Sequence, residues 1–239
     1  VGYDGVVQYP FGYGLSYTSF EWEIESQPNI DFISKYTTFE YTINVTNTGT
    51  VKGRDVVEIY VNPPYKKGGI EKSSSNLVAF AKTADLEPGQ TQKLNISFNA
   101  YDFASYDAYD KNKNEFTGYE LDEGEYEVKF MTDAHNLKEM QNNTLKYQVD
   151  AGGITYKMDP KTKQFVKNRM TGEGAYADTP IDGSTVGAEK QYLSRNDFVS
   201  TFPKEHAKTP NSNGNGSNFV NDVYDTDTMP TLSVDSGLR

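Results

Sequence analysis

Apolar and polar positions alternate with a period of two through much of the first 150 residues. Between residues 38 and 64, Phe39, Tyr41, Ile43 and Val45 alternate with Glu40, Thr42, Asn44 and Thr46; then Val57, Ile59 and Val61 alternate with Glu58, Tyr60 and Asn62. This period places each apolar set on one face of a strand. The intervening residues 47–53 hold Asn47, Gly49 and Gly53, which accept the positive φ of a chain reversal. The two runs are therefore expected to pair as an antiparallel hairpin with one buried face. Pro63 and Pro64 end the second run, since neither has an N–H for a ladder. Similar runs predict strands at residues 20–25, 77–80, 94–98, 126–130 and 145–149, with turns at residues 87–90 and 122–124. About seven short strands split by turn signals predict an all-β fold, an antiparallel sandwich of the immunoglobulin or fibronectin type III-like kind.

The pattern changes after residue 150. Of the 32 aromatic residues, 24 lie in residues 1–150 and 8 in residues 151–239, so the second part is not expected to build a core of its own. Residues 211–218 are a run of Asn, Ser and Gly, the composition of a disordered segment. The expected organisation is a connector over residues 1–15, a sandwich over 16–150, and a long, mostly irregular C-terminal extension over 151–239. Two apolar islands in that extension, residues 192–203 and 229–232, read as docking points. With Val1 at one end and Arg239 at the other, the chain reads as a fragment of a longer one.

Net charge is −11, which disfavours a nucleic-acid partner. No apolar run reaches the roughly 18 residues of a membrane helix. Cysteine is absent, excluding disulfides and thiolate metal sites and favouring a reducing, cytoplasmic compartment.

Candidate chemistry is sparse. Asp110, Asn112 and Asn114 occupy the first, third and fifth places of a calcium-loop pattern, but Glu115 stands where glycine belongs and Leu121 where glutamate belongs. A solvated polar loop is the expected reading, with no metal and no cofactor. His135 and His206 lack partners at zinc or catalytic spacing, and Ser73, Ser74 and Ser75 lack a nucleophile context. Asn44, Asn95, Asn142 and Asn215 open chance glycosylation triplets. The loop at residues 65–76 is long enough to be mobile. Tyr101, Tyr106, Tyr109 and Tyr119, with Tyr65 in that other loop, are candidate contacts for a sugar or for a neighbouring domain.

Several segments together resemble a known family. Tyr9-Pro10-Phe11-Gly12-Tyr13-Gly14-Leu15-Ser16-Tyr17-Thr18, then Asn47-Thr48-Gly49 with residues 53–61, residues 77–82, Leu86-Glu87-Pro88-Gly89 and residues 124–128 are similar to the fibronectin type III-like domain of glycoside hydrolase family three, the β-glucosidase family. Residues 192–195, 201–203 and 229–230 resemble the connector of members whose sandwich precedes the (β/α)8 barrel. The resemblance implies an α/β domain before Val1 and a catalytic barrel after Arg239. It also implies a nucleophilic aspartate in a Ser-Asp-Trp-like motif, yet Trp22 is the only tryptophan and follows Glu21. The acid/base glutamate of the family belongs to the α/β domain. No catalytic residue carries over. The implied role is a non-catalytic brace whose partners are the other domains of the parent chain, with β-glucosides near the active-site rim. A carbohydrate-binding module and an adhesive or scaffold sandwich are the alternatives.

Overall fold

In a computed structural model of the chain, residues 7–166, Asn168, Ser194 and Arg195 are described. The chain divides into two units, Val1–Lys190 and Gln191–Arg239, and every element named below lies in the first. The apolar islands, the Asn/Ser/Gly run, His206 and Asn215 lie outside the described residues, save Ser194 and Arg195.

Two antiparallel sheets face each other. One has the order β1 (Phe20–Ser26), β2 (Thr38–Asn47), β5 (Thr91–Asn99). The other has the order β4 (Asn76–Lys82), β3 (Val56–Asn62), β8 (Gly124–Met131), β9 (Thr144–Val149). A third, small sheet joins β6 (Ser105–Asp107), β7 (Gly118–Leu121) and β10 (Ile154–Tyr156) in the order β10-β7-β6. A short 3-10 helix, Ala100–Phe103, whose Asp102 accepts the Asn99 N–H at 2.8 Å, leads from β5 into β6. The ordered framework also extends past residue 150, because β10 pairs with β7 from Ile154↔Leu121 to Tyr156↔Tyr119.

Alternation decides what is buried. Phe39, Tyr41, Ile43 and Val45 of β2 meet Phe98, Ile96 and Leu94 of β5 in register and face Val57, Ile59, Val61, Val128 and Phe130 of the other sheet. Across the middle of this core the Tyr41 hydroxyl donates to that of Tyr147 at 3.0 Å, so two buried phenols satisfy each other. Burial of each such side chain stabilises by roughly 1.5–3 kcal/mol.

The expected hairpin is not formed. β2 pairs with β1 and β5, whereas β3 pairs with β4 and β8, so residues 48–55 carry the chain from one sheet to the other. A period of two says which face is buried, not which strand lies alongside. The glycines of this crossing serve close packing instead of positive φ, which neither Gly49 nor Gly53 adopts. A Cβ on Gly49 would lie 2.1 Å from Thr18 Oγ1 and 2.8 Å from the Ser19 nitrogen. Asn47 is likewise not left-handed. Its side chain donates to the Val51 and Leu86 carbonyls, both at 2.8 Å, and accepts from Thr18 Oγ1 and the Gly49 N–H. The turn at residues 87–90 forms as expected, with Gly89 at φ +79° and the Gln90 N–H on the Glu87 carbonyl at 2.9 Å.

Candidate functional site

The outer face of β3 is not solvated, although its Glu58 and Tyr60 sit at polar positions. Both are buried, at 7% and 2% exposure. Residues 10–13 make a reverse turn across them: the Tyr13 N–H bonds the Pro10 carbonyl at 3.1 Å, and Gly12 holds φ +86°. A Cβ on Gly12 would stand 2.5 Å from Glu58 Oε2. Only glycine meets both demands at that point. The same strap is pinned at Phe11, whose carbonyl accepts the Ala134 N–H at 2.8 Å. Its side chains point away from the sandwich: Tyr9 is 62% exposed, Phe11 69%, Leu15 90% and Tyr17 99%.

Burial pushes the Glu58 carboxyl above its ordinary value of 4.5; the Tyr60 hydroxyl donating at 2.8 Å opposes this, and the charge of Asp133 adds to it. A carboxyl raised in the folded state binds its proton more tightly there than in the unfolded chain. Stability therefore falls as pH rises from 4.5 through the raised value. Glu58→Gln should remove that slope and leave the variant the more stable at neutral pH, as read from urea midpoints across the pH range. A slope unchanged by the substitution would mean that Glu58 titrates as if exposed.

The candidate tyrosines separate into distinct settings. Tyr101, Tyr106 and Tyr119 come together, with Tyr119 5.4 Å from Tyr101 at 68° and 5.0 Å from Tyr106 at 72°. Tyr156 joins them, 4.9 Å from Tyr101, with Lys35 Nζ 5.3 Å above its ring. Edge-to-face packing of this kind uses the ring faces on one another. The hydroxyls are also engaged, Tyr101 with Asp159 at 3.2 Å and Tyr106 with Asn168 at 3.5 Å. The Tyr109 N–H bonds Asp107 at 3.0 Å, and Tyr65 donates to Glu71 at 3.0 Å in the other loop. Tyr156 is missed by sequence reasoning because it lies beyond the expected sandwich boundary.

The loop at residues 65–76 is tied down. Lys72, 7% exposed, bonds Asp122 and the Pro64 carbonyl, and Lys66 bonds Glu123 at 2.8 Å. Beside it Asp107, Glu120 and Asp122 gather around residues 110–115, a polar loop whose residues 113–115 are exposed as expected. Asp110 accepts the Asn114 N–H at 2.8 Å and the Glu115 N–H at 3.3 Å, and Asn112 reaches both Glu120 and Asp122. Burial first, then the charges of Asp107 and Asp122, push the Glu120 carboxyl upward, against the two asparagine amides.

This arrangement does not suit glycoside hydrolysis. That reaction needs two carboxyl groups flanking a bound sugar, one of them free to act as nucleophile or base. Here Asp122 is held by Lys72, Glu120 by two amides, and the adjoining cavity measures about 170 Å³, below the roughly 300 Å³ at which ligand pockets begin. A hollow of about 580 Å³ beside β2 and β5 has one lining carboxylate, Glu40. His135 donates its backbone N–H to Asp133 at 2.9 Å, and Ser73 bonds Ser75 within its own loop. Asn95 accepts from Thr42 at 3.1 Å, and Asn142 sits exposed at φ +57°.

Two facing sheets in the orders β1-β2-β5 and β4-β3-β8-β9 define a fibronectin type III-like domain, and residues 55–134 match the family model of that description. It is the form of the domain carried by β-glucosidases of glycoside hydrolase family three. The chain is similar to a β-glucosidase of Ruminococcus albus, at 35% identity over 73% of this chain and 18% of the relative, and to β-glucosidase A of Butyrivibrio fibrisolvens, at 31% over 73% and 21%. Among solved structures, a β-glucosidase from Paenibacillus barengoltzii matches at 33% identity and a TM-score of 0.49 over 59% of this chain and 14% of that one. The chain spans about a fifth of the length of these curated relatives.

Proposed function

We propose that this chain is the accessory sandwich of a β-glucosidase-like enzyme and that it braces the catalytic domains of its parent. Residues 1–15 lead in from a preceding α/β domain, and the residues after the sandwich lead toward a catalytic barrel. The observation that carries this reading is the N-terminal strap. It is fixed to the sandwich by Gly12 and Phe11 yet turns Tyr9, Phe11, Leu15 and Tyr17 outward, as a surface built to be covered would. Tyr101, Tyr106 and Tyr119 are assigned to domain contacts in preference to a sugar platform, because edge-to-face rings leave no flat shelf for a pyranose, and Tyr65 and Tyr109 are assigned to domain contacts with them. The parent cleaves β-glucosides, and the loop at residues 65–76 borders its active site.

Titration of cellobiose into the 239-residue chain should give no heat, and an aryl β-glucoside should not be hydrolysed by it above the buffer rate. A saturable heat would favour the carbohydrate-binding reading, and turnover would overturn the claim that catalysis lies in other domains.

A further inference from the structure

Four side chains converge beside the loop between β6 and β7. Asn112 and Asn114 both donate to Glu120 Oε2, the first at 2.8 Å, and Asn112 also reaches Asp122 Oδ1 at 3.1 Å. Glu120 is 2% exposed, and its second oxygen, Oε1, has no hydrogen-bond partner. All four residues line the cavity of about 170 Å³. A buried carboxylate with one oxygen unpartnered is costly unless it takes up a proton or a cation answers it. The neighbouring charges are already matched. Asp107 is capped by the N–H groups of Tyr109, Lys111 and Asn112, and Oδ2 of Asp122 is taken by Lys72.

We propose that Glu120, Asp122, Asn112 and Asn114 bind a divalent cation of the calcium class. Calcium takes about 6–8 oxygens in a flexible shell. Glu120 supplies two, Asp122 one, and each asparagine one after a half-turn that exchanges its amide nitrogen for its oxygen. Main-chain carbonyls and water complete the shell. The frame is not that of an EF-hand. Asp110, at the first place of that pattern, is spent on backbone N–H groups, and Glu120 stands one place short of the twelfth. Nor is it a cluster of three or more acidic, histidine or cysteine ligands, which the described residues lack. It pairs two carboxylates with two amides. The ion would fasten residues 110–115 to β7 and, through Asp122 and Lys72, to the loop at residues 65–76.

The test uses the whole chain, stripped with a chelator and titrated with calcium chloride in a calorimeter, with the melting temperature followed in parallel. One ion should bind per chain, and the melting temperature should climb with calcium concentration. Terbium should bind the same site, emit through nearby tyrosines and be displaced by calcium. Glu120→Gln should weaken binding about 100-fold or more, and Asn114→Ala, at an exposed position that leaves the fold intact, about tenfold. Should Glu120→Gln fail to fold, Asn114→Ala decides. The proposal is overturned if the folded chain shows neither heat nor a melting shift at about 10 mM calcium, above the weak end of protein sites. It is equally overturned if Asn114→Ala binds as tightly as the parent sequence.

Discussion

Phe39→Ala will lower the free energy of unfolding by about 3–5 kcal/mol, the range for a large aromatic removed from a packed core. Phe39 is fully buried near the start of β2 and held by rings from both layers. Phe98 stacks on it at 5.0 Å from the neighbouring strand, Phe103 meets it at 5.7 Å, and Tyr147 meets it edge-on at 5.1 Å from the opposite sheet. Two sheets fixed by their ladders cannot close on the vacated space, so the cavity cost adds to the lost transfer energy. Phe39→Leu keeps most of the volume and should cost less than half as much. Urea unfolding with an unchanged m-value measures both. A loss below about 1 kcal/mol for the alanine variant would mean that the ring is not enclosed as described.

Asn47→Ala will cost about 2–4 kcal/mol, from the buried Leu86 carbonyl and the partly buried Val51 carbonyl losing their donor. Asn47 is 0% exposed and joins three parts of the sandwich end. Its amide nitrogen serves Val51 and Leu86, and its oxygen serves Thr18 and Gly49. Asn47→Asp is nearly isosteric but donates nothing and buries a charge against those carbonyls, so it should be at least as harmful. Thermal unfolding of both variants distinguishes this from a simple turn preference, for which aspartate would substitute with little loss.

These two residues mark where sequence reasoning succeeds and where it stops. Phe39 was legible because burial on one face of a strand writes itself into the chain as a period of two, and the strands read that way are strands. Their partners were not legible. β2 and β3 look like a hairpin from alternation and an Asn/Gly turn, but the same pattern fits two strands that face each other across a core. Asn47, Gly49 and Gly53 were read through backbone conformation, whereas their work is a side-chain hydrogen-bond hub and close approach, both set by residues such as Thr18 and Leu86 that are distant in sequence. Glu58 and Tyr60 fall on a polar face by alternation, and nothing local reveals that a strap more than forty residues upstream covers them.

The candidate site shows the same division. The spacing of Asp110, Asn112 and Asn114 was visible, and so was its departure from the calcium pattern. That Asn112 and Asn114 turn onto Glu120 depends on the pairing of β6 with β7 from Ser105↔Glu120 to Asp107↔Gly118, which no local pattern encodes. The five tyrosines were found as a group by composition. Their division into an edge-to-face trio and two other residues required the fold.

Bracing is tested most directly by thermal inactivation of the proposed parent enzyme beside a version from which residues 16–150 have been excised. The account predicts that the excised enzyme loses β-glucosidase activity, or loses it at a clearly lower temperature. Equal activity with equal thermal resistance would contradict it.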